Sequence, residues 1–73
     1  MPKLPRISGE ECRRALERLG FVAVRQRGSH VVMRRGDHGC VVPMHRAMKV
    51  GTLHGVLKQA AIDPNQFIQA LRR

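Results

Sequence analysis

Aromatic residues are nearly absent from this sequence. It has no tryptophan and no tyrosine, and its two phenylalanines are Phe21 and Phe67. Proteins that bind single-stranded nucleic acids commonly stack the bases on aromatic side chains. Both phenylalanines occupy apolar faces of predicted elements, so such a stacking platform is missing. Any contact with a nucleic acid should therefore run through phosphates and shape, with little base preference.

Acidic residues are also scarce. Five Asp and Glu stand against fourteen Lys and Arg, which gives a net charge of +9 at pH 7 over 73 residues. Such a charge predicts a polyanionic partner, either a nucleic acid or an acidic protein. Residues 21–50 contain three of the four histidines and a single acid, Asp37, beside six cations: Arg25, Arg27, Arg34, Arg35, Arg46 and Lys49. The basic segment and the proton-exchanging side chains therefore coincide.

Cysteine and long apolar runs are equally limited. Cys12 and Cys40 form no C-x-x-C pair, and we interpret both as small buried hydrophobes of a protein in a reducing cytoplasm. No run is apolar enough to cross a membrane, and the first residues lack the apolar core of a signal peptide. A metal site built from His38, Cys40 and His45 is an alternative, but the spacing matches no familiar ligand pattern. We expect neither a metal nor a small-molecule cofactor.

Short polar motifs mark the helices. Ser8 and Glu11 form an S-x-x-E capping box, and the apolar spacing after it predicts a helix over residues 9–19 that ends at Gly20. Thr52 is the predicted N-cap of a second helix, after a loop over residues 44–51. A third, short helix should begin after Asp63, where Pro64 suits the first helical position.

The segment between the first two helices alternates with a period of two, which is typical of strands. One strand starts at Val22, a second follows Gly28-Ser29, and a third covers residues 40–42 after a turn at residues 36–39. The alternation predicts that one set of side chains faces the helices: Val22, Val24, Val31 and Met33. The opposite, open face would then carry Arg25, Arg27, His30 and Arg34.

The resulting order is α-β-β-β-α plus a short C-terminal helix. It predicts a two-layer α+β fold, with a three-stranded antiparallel sheet and helices on one face. We expect residues 1–73 to form a single domain. A domain of this size buries only about 60% of the surface that its unfolded chain exposes. Any active site should therefore lie on the surface and use few residues.

The tripeptide Gly28-Ser29-His30 is the strongest candidate site. Histidine is the side chain that exchanges protons near neutral pH, and here it follows a glycine turn among arginines. This combination is the chemistry needed to move a proton on a polyanion.

The same residues carry a resemblance that covers nearly the whole chain. It looks like a HicA toxin, the mRNA-cleaving partner in HicA–HicB toxin–antitoxin pairs. The resemblance rests on Leu19-Gly20-Phe21, Arg27-Gly28-Ser29-His30, Val42-Pro43 followed by His45, and Lys49-x-Gly51-Thr52-Leu53 running into Leu57-Lys58-Gln59-Ala60. It implies a fold like the double-stranded-RNA-binding domain, an RNase activity that depends on His30, and a co-encoded antitoxin. One departure is Ala61, where the family usually has glycine, so the second helix could run on or end differently.

These observations lead to a hypothesis for the chemistry. His30 would act as the general base of a metal-independent endoribonuclease, and His45 is the candidate for a second acid or base. The residues expected to bind RNA are Arg25, Arg27, Ser29, Arg34, Lys49 and Thr52. Two alternatives stay open: a non-catalytic RNA-binding module of the same fold, and a protein whose basic face only docks an acidic antitoxin.

Overall fold

The computed structural model describes residues 3–73 and contains three helices and three strands. In chain order they are α1 (Gly9–Arg18), β1 (Val22–Arg27), β2 (His30–Arg35), β3 (His38–Pro43), α2 (Val50–Ala60) and α3 (Pro64–Leu71). The strands form one antiparallel sheet in the order β1-β2-β3. The predicted α+β arrangement is therefore confirmed.

Helix α1 begins and ends as its local sequence indicates. The Ser8 hydroxyl accepts the backbone N–H of Glu11, and the Glu11 carboxylate accepts the N–H of Ser8, both at 3.0 Å. At the other end Gly20 has a φ of +98°, a conformation that side chains with a Cβ rarely adopt. The helix ends at Arg18, one residue before the predicted end, and the predicted last residue, Leu19, is its C-cap.

Helix α2 begins earlier than predicted, and Thr52 is not its N-cap. Lys49 holds that position without a side-chain hydrogen bond, and Thr52 is the third helical residue. The earlier start of α2 follows from a tertiary hydrogen bond. The N–H of buried Met48 donates to the Ile7 carbonyl at 2.7 Å, and this contact fixes the backbone just before the helix. The first helical hydrogen bond then closes from the Leu53 N–H to the Lys49 carbonyl at 3.1 Å.

Helix α2 ends with Ala61 as its C-cap, although this residue is not the glycine that the family usually has there. This residue has φ +56° and ψ +41°, so the helix does not run on but ends in the left-handed conformation without a glycine. The chain then enters α3, where the Asp63 carboxylate accepts the backbone N–H groups of Asn65 and Gln66. The predicted start of α3 is confirmed.

A β-bulge in β1 reverses the predicted orientation of its first residues. Ala23 is paired with buried Met33, but the next register pair joins Arg25 to Val32, so Val24 is an extra residue. Val22 and Val24 are 61% and 53% exposed, and the prediction that they face the helices is wrong. Because a bulge shifts the alternation by one residue, Arg25 still lies on the face that the sequence predicts.

Strand β3 is longer than predicted. It starts at His38, which is paired with Arg35, so the turn contains only Gly36 and Asp37 instead of the predicted residues 36–39. Gly36 has a φ of +58°, and a positive φ of this kind is what tight hairpin turns require. Residues that were predicted to form a loop therefore extend the sheet.

The core lies between the sheet and the helices. Alternate residues of β2 and β3 enter it, and the two cysteines are buried there as expected. The largest fully buried side chains are Phe67, Leu16, Met33, Met48, Leu53, Val42 and Cys12. The other side of the sheet has no helix over it among residues 3–73, which leaves that side open.

Candidate functional site

The open face of the sheet carries the residues predicted to form the site. Directly opposite residues of neighbouring strands point to the same face, and the register therefore defines this surface. We use the name open face for the outward side chains Val22, Arg25, Arg27, His30, Val32, Arg34 and Val41. The structure thus brings His30 and its three predicted arginine neighbours onto one surface.

His30 lies at the end of this face that adjoins the β1–β2 turn. It is exposed, and its directly opposite residue in β1 is Arg27. Gly28, in the turn, has a φ of +56°, and the Gln26 side chain donates to its carbonyl at 3.1 Å. Ser29 completes the turn and is also exposed. The turn places an imidazole and a guanidinium side by side in solvent.

The histidine at position 45 comes to the same end of the sheet. The N–H of Met44 donates to the Ser29 carbonyl at 2.6 Å, which continues the β2–β3 pairing beyond Pro43. His45 is the next residue and is exposed. Its carbonyl accepts the N–H of Gly9 at 2.9 Å, so this segment is held to the start of α1 as well. A second imidazole is therefore attached close, along the backbone, to the His30 turn.

The arginines of the open face differ from those elsewhere. Arg25, Arg27 and Arg34 are exposed, and their side chains make no hydrogen bond or ion pair with any part of the chain between residues 3 and 73. Arg34 extends across the sheet, with its Cγ 3.7 Å from the point where a Cβ on Gly39 would lie. These guanidinium groups are available to an external anion.

Most acidic side chains are engaged on the helices instead. Arg13 pairs with Glu10 and also with Glu17, the latter at 2.8 Å, and its hydrogen bond lowers the pKa of Glu10. Glu11 and Asp63 cap helices, as described above. The acids therefore do little to offset the positive charge of the open face.

Arg35 has a structural role that the sequence did not reveal. It donates to the Leu19 carbonyl at 2.8 Å, and its guanidinium carbon lies 4.9 Å from the centroid of the Phe21 ring. Both contacts hold the end of α1 to β2. Its position next to Arg34 suggested membership of the basic cluster, but consecutive strand residues point to opposite faces.

Lys49 and Thr52 lie at the start of α2. Both are exposed, and α2 packs mainly against β3. The first N–H groups of a helix have no acceptor within it, and no side chain caps this end. This helix start therefore offers free N–H groups to an anion.

The alternative metal site is not assembled. Across residues 3–73, no three side chains of the His, Cys, Asp or Glu type come together in a metal-ligating group. Cys40 is buried, and burial raises the pKa of its thiol from 9.0 to about 11. Burial, with the nearby Cys40, raises the pKa of Cys12 to about 12. Metal ligation needs the thiolate, which these surroundings disfavour.

Fold and site together define a small α+β protein with a basic, uncovered sheet face and a histidine at one end of it. A family model described as the HicA toxin of bacterial toxin–antitoxin pairs matches residues 9–62, and the chain belongs to this family. The resemblance seen in the sequence is thereby confirmed. A search of curated proteins gives no match.

Membership of the family makes the chain the toxin of a toxin–antitoxin pair, which implies an antitoxin as its partner. The matched range includes the His30 turn, His45 and the start of α2. Between residues 3 and 73, none of the helices has the length and apolar character needed to span a bilayer.

Proposed function

We propose that this toxin is an endoribonuclease that cleaves mRNA, with His30 as its general base. The observation that carries the proposal is the pairing of His30 with Arg27. An exposed imidazole lies directly across the hairpin from a guanidinium that has no partner in residues 3–73. One group can take a proton while the other holds the phosphate that reacts.

The reaction follows from the chemistry of RNA. The 2′-hydroxyl lies beside the phosphate, and His30 removes its proton as the oxygen attacks phosphorus. A P–O bond to the 2′-oxygen forms and the bond to the 5′-oxygen breaks, which leaves a cyclic phosphate and a 5′-hydroxyl. A second acid must supply the proton to the leaving oxygen, and His45 is the candidate. General base catalysis of this type contributes about 10²–10⁴-fold.

The cations have two tasks in this mechanism. Arg27 stabilises the negative charge that grows on the phosphoryl oxygens, while Arg25 and Arg34 bind neighbouring phosphates. Ser29, in the turn, donates a hydrogen bond to a phosphate oxygen. The start of α2, with Lys49 and Thr52, offers a further phosphate contact because helix N-termini attract anions. None of these steps calls for a metal ion.

The antitoxin is proposed to be a larger, net acidic HicB-like protein that covers the open face. An ordinary interface occupies about 800 Å² on each partner, and the accessible surface of this toxin is 4758 Å². A partner of ordinary size on this face would therefore cover His30 together with the arginines. Its association rate should fall as salt rises, because opposite charges steer the encounter.

The test is RNA cleavage by purified His30→Ala protein, with His54→Ala as the matched control. His54 is also exposed but lies in α2. We expect His30→Ala to lose cleavage by at least about 100-fold, with RNA binding and melting temperature nearly unchanged, and His54→Ala to behave as the wild type. The product should carry a cyclic phosphate.

Three results would contradict the proposal. Full cleavage by His30→Ala would remove His30 as the base. A wild-type protein that binds RNA without cleaving it would be a non-catalytic RNA-binding module. A wild-type protein that binds only the antitoxin would show that the basic face serves docking alone.

A further inference from the structure

Three valines form an apolar line across the basic open face. Val22 is 61% exposed, Val41 is 39% exposed, and Val32 between them is partly exposed. We call these residues the valine line. Scattered apolar residues are normal on a protein surface, whereas contiguous ones on an uncovered face indicate a contact with another protein.

The sheet register places the three valines in one row across the strands. Val32 and Val41 are directly opposite each other on β2 and β3, a position that brings Cβ atoms to roughly 5 Å. Val22 is opposite Arg34, two residues along β2 from Val32, and so is the diagonal neighbour of Val32. The bulge at Val24 produces this arrangement, because without it Val22 would face the helices.

The valine line and the catalytic candidates occupy different parts of the face. His30 and Arg27 are at the hairpin turn, whereas the valines extend from the middle of the sheet to its other end. Valine can neither hydrogen-bond a phosphate nor stack on a base. The valine side chains are therefore better suited to an apolar protein surface than to RNA.

The positive charge around the valines favours an acidic partner. The valines are flanked by Arg25 and Arg34, and the chain carries a net charge of +9. A second copy of this toxin would place like charges against each other, which opposes association. An acidic protein with aliphatic side chains at the centre of its contact and carboxylates at the edge would match both features. Protein interfaces commonly have this arrangement of apolar core and polar rim.

We infer that the valine line is the apolar centre of the site on which the antitoxin docks, and that these three valines, unlike the arginines beside them, are not needed for RNA cleavage. Aliphatic side chains of the antitoxin cover the three valines, and its carboxylates pair with Arg25 and Arg34. Once docked there, the antitoxin extends over His30. This inference rests on the proposed function, because it divides one face between the antitoxin and the RNA.

The experiment replaces Val22 and Val41 by threonine, singly and together. Threonine is also β-branched and suits a strand, so it removes apolar surface while it keeps the shape. Affinity for the purified antitoxin encoded beside this chain is measured by calorimetry, and RNA cleavage is measured in parallel. We expect about a 10-fold loss of affinity for each substitution, with cleavage within about twofold of the wild type.

Val24→Thr is the matched control. Val24 is similarly exposed at 53%, but it is the bulged residue and lines the groove between α1 and β1. Unchanged affinity in the Val22→Thr/Val41→Thr double variant would overturn the inference. An equal loss in Val24→Thr would also overturn it and would move the docking site to the outer edge of β1.

Two further results separate this inference from the proposed function. A loss of cleavage in the double variant, with its melting temperature retained, would show that the valines are not separable from RNA binding. If the wild-type protein fails to cleave RNA, the proposed function fails, but the affinity series still decides where the antitoxin docks. Val22→Thr, at the most exposed position, decides the question even if Val41→Thr lowers stability.

Discussion

Arg27 and His30 are directly opposite residues at the end of the β1–β2 hairpin, with Gly28 and Ser29 between them. Their pairing depends on the register, because a slip by one residue would turn one of the two side chains to the helix side of the sheet. The hydrogen bond from the Met44 N–H to the Ser29 carbonyl fixes this end of the hairpin to the segment that follows β3. The site is therefore a property of the hairpin as a folded unit.

Charge reversal on the open face should weaken both interactions of the toxin. We expect Arg25→Glu and Arg27→Glu each to reduce RNA binding and antitoxin binding, because both ligands are anionic. The control is Arg72→Glu, which changes the net charge equally at the end of α3. Binding is measured at two salt concentrations. Variants that lose RNA but bind the antitoxin normally would show that inhibition does not work by covering this face.

Cleavage should not depend on a divalent metal ion. The proposed mechanism uses an imidazole, guanidinium groups and the substrate's own hydroxyl, so activity should survive EDTA. The measurement is the cleavage rate before and after chelation, followed by addition of Mg²⁺, Mn²⁺ or Zn²⁺. Loss of activity with EDTA and its return with one of these ions would refute metal independence.

Ala61→Gly should stabilise the protein. Ala61 has a φ of +56°, and a residue with a Cβ in that region costs about 1 kcal/mol relative to glycine. In a domain of this size, a gain of about 1 kcal/mol corresponds to a rise in melting temperature of about 4–8 °C. Ala60→Gly, one residue earlier and helical, should lower the melting temperature instead. An unchanged or lower value for Ala61→Gly would contradict the expected relief of strain.

Gly9→Ala should destabilise the protein although alanine favours helices. A Cβ on Gly9 would lie 2.7 Å from the Cα of Met44 and closer still to the Pro43 carbonyl oxygen. Such overpacking costs about 1–3 kcal/mol, and it would also push the segment that bears His45. We therefore expect both a lower melting temperature and a lower rate of RNA cleavage.

Gly55→Ala is the control for that substitution. Gly55 is exposed within α2, and a Cβ there would meet nothing within 4 Å. It should gain roughly 1 kcal/mol from the higher helix propensity of alanine. Equal effects of the two substitutions would show that the contact between Gly9 and β3 is unimportant.

The sequence predicts the start of a helix correctly where a local side-chain cap defines it. The capping box of Ser8 and Glu11 and the Asp63 cap each act within one helical turn, so a few residues are enough to recognise them. The sequence does not indicate the start of α2 correctly, because no side chain caps that helix. Its first turn is set by Met48, whose N–H is hydrogen-bonded to Ile7, a core residue 41 positions away.

Some features of the candidate site are likewise set by local sequence, and others by tertiary structure. The sequence by itself determined that the turn would present His30 among arginines, since the glycine turn and the strand alternation are local features. Tertiary structure alone decided that Val24 bulges, that Val22 joins the open face and that Arg35 binds the end of α1. Strand pairing and packing against the core compare residues far apart in the chain, and a period of two cannot show where one extra residue is inserted.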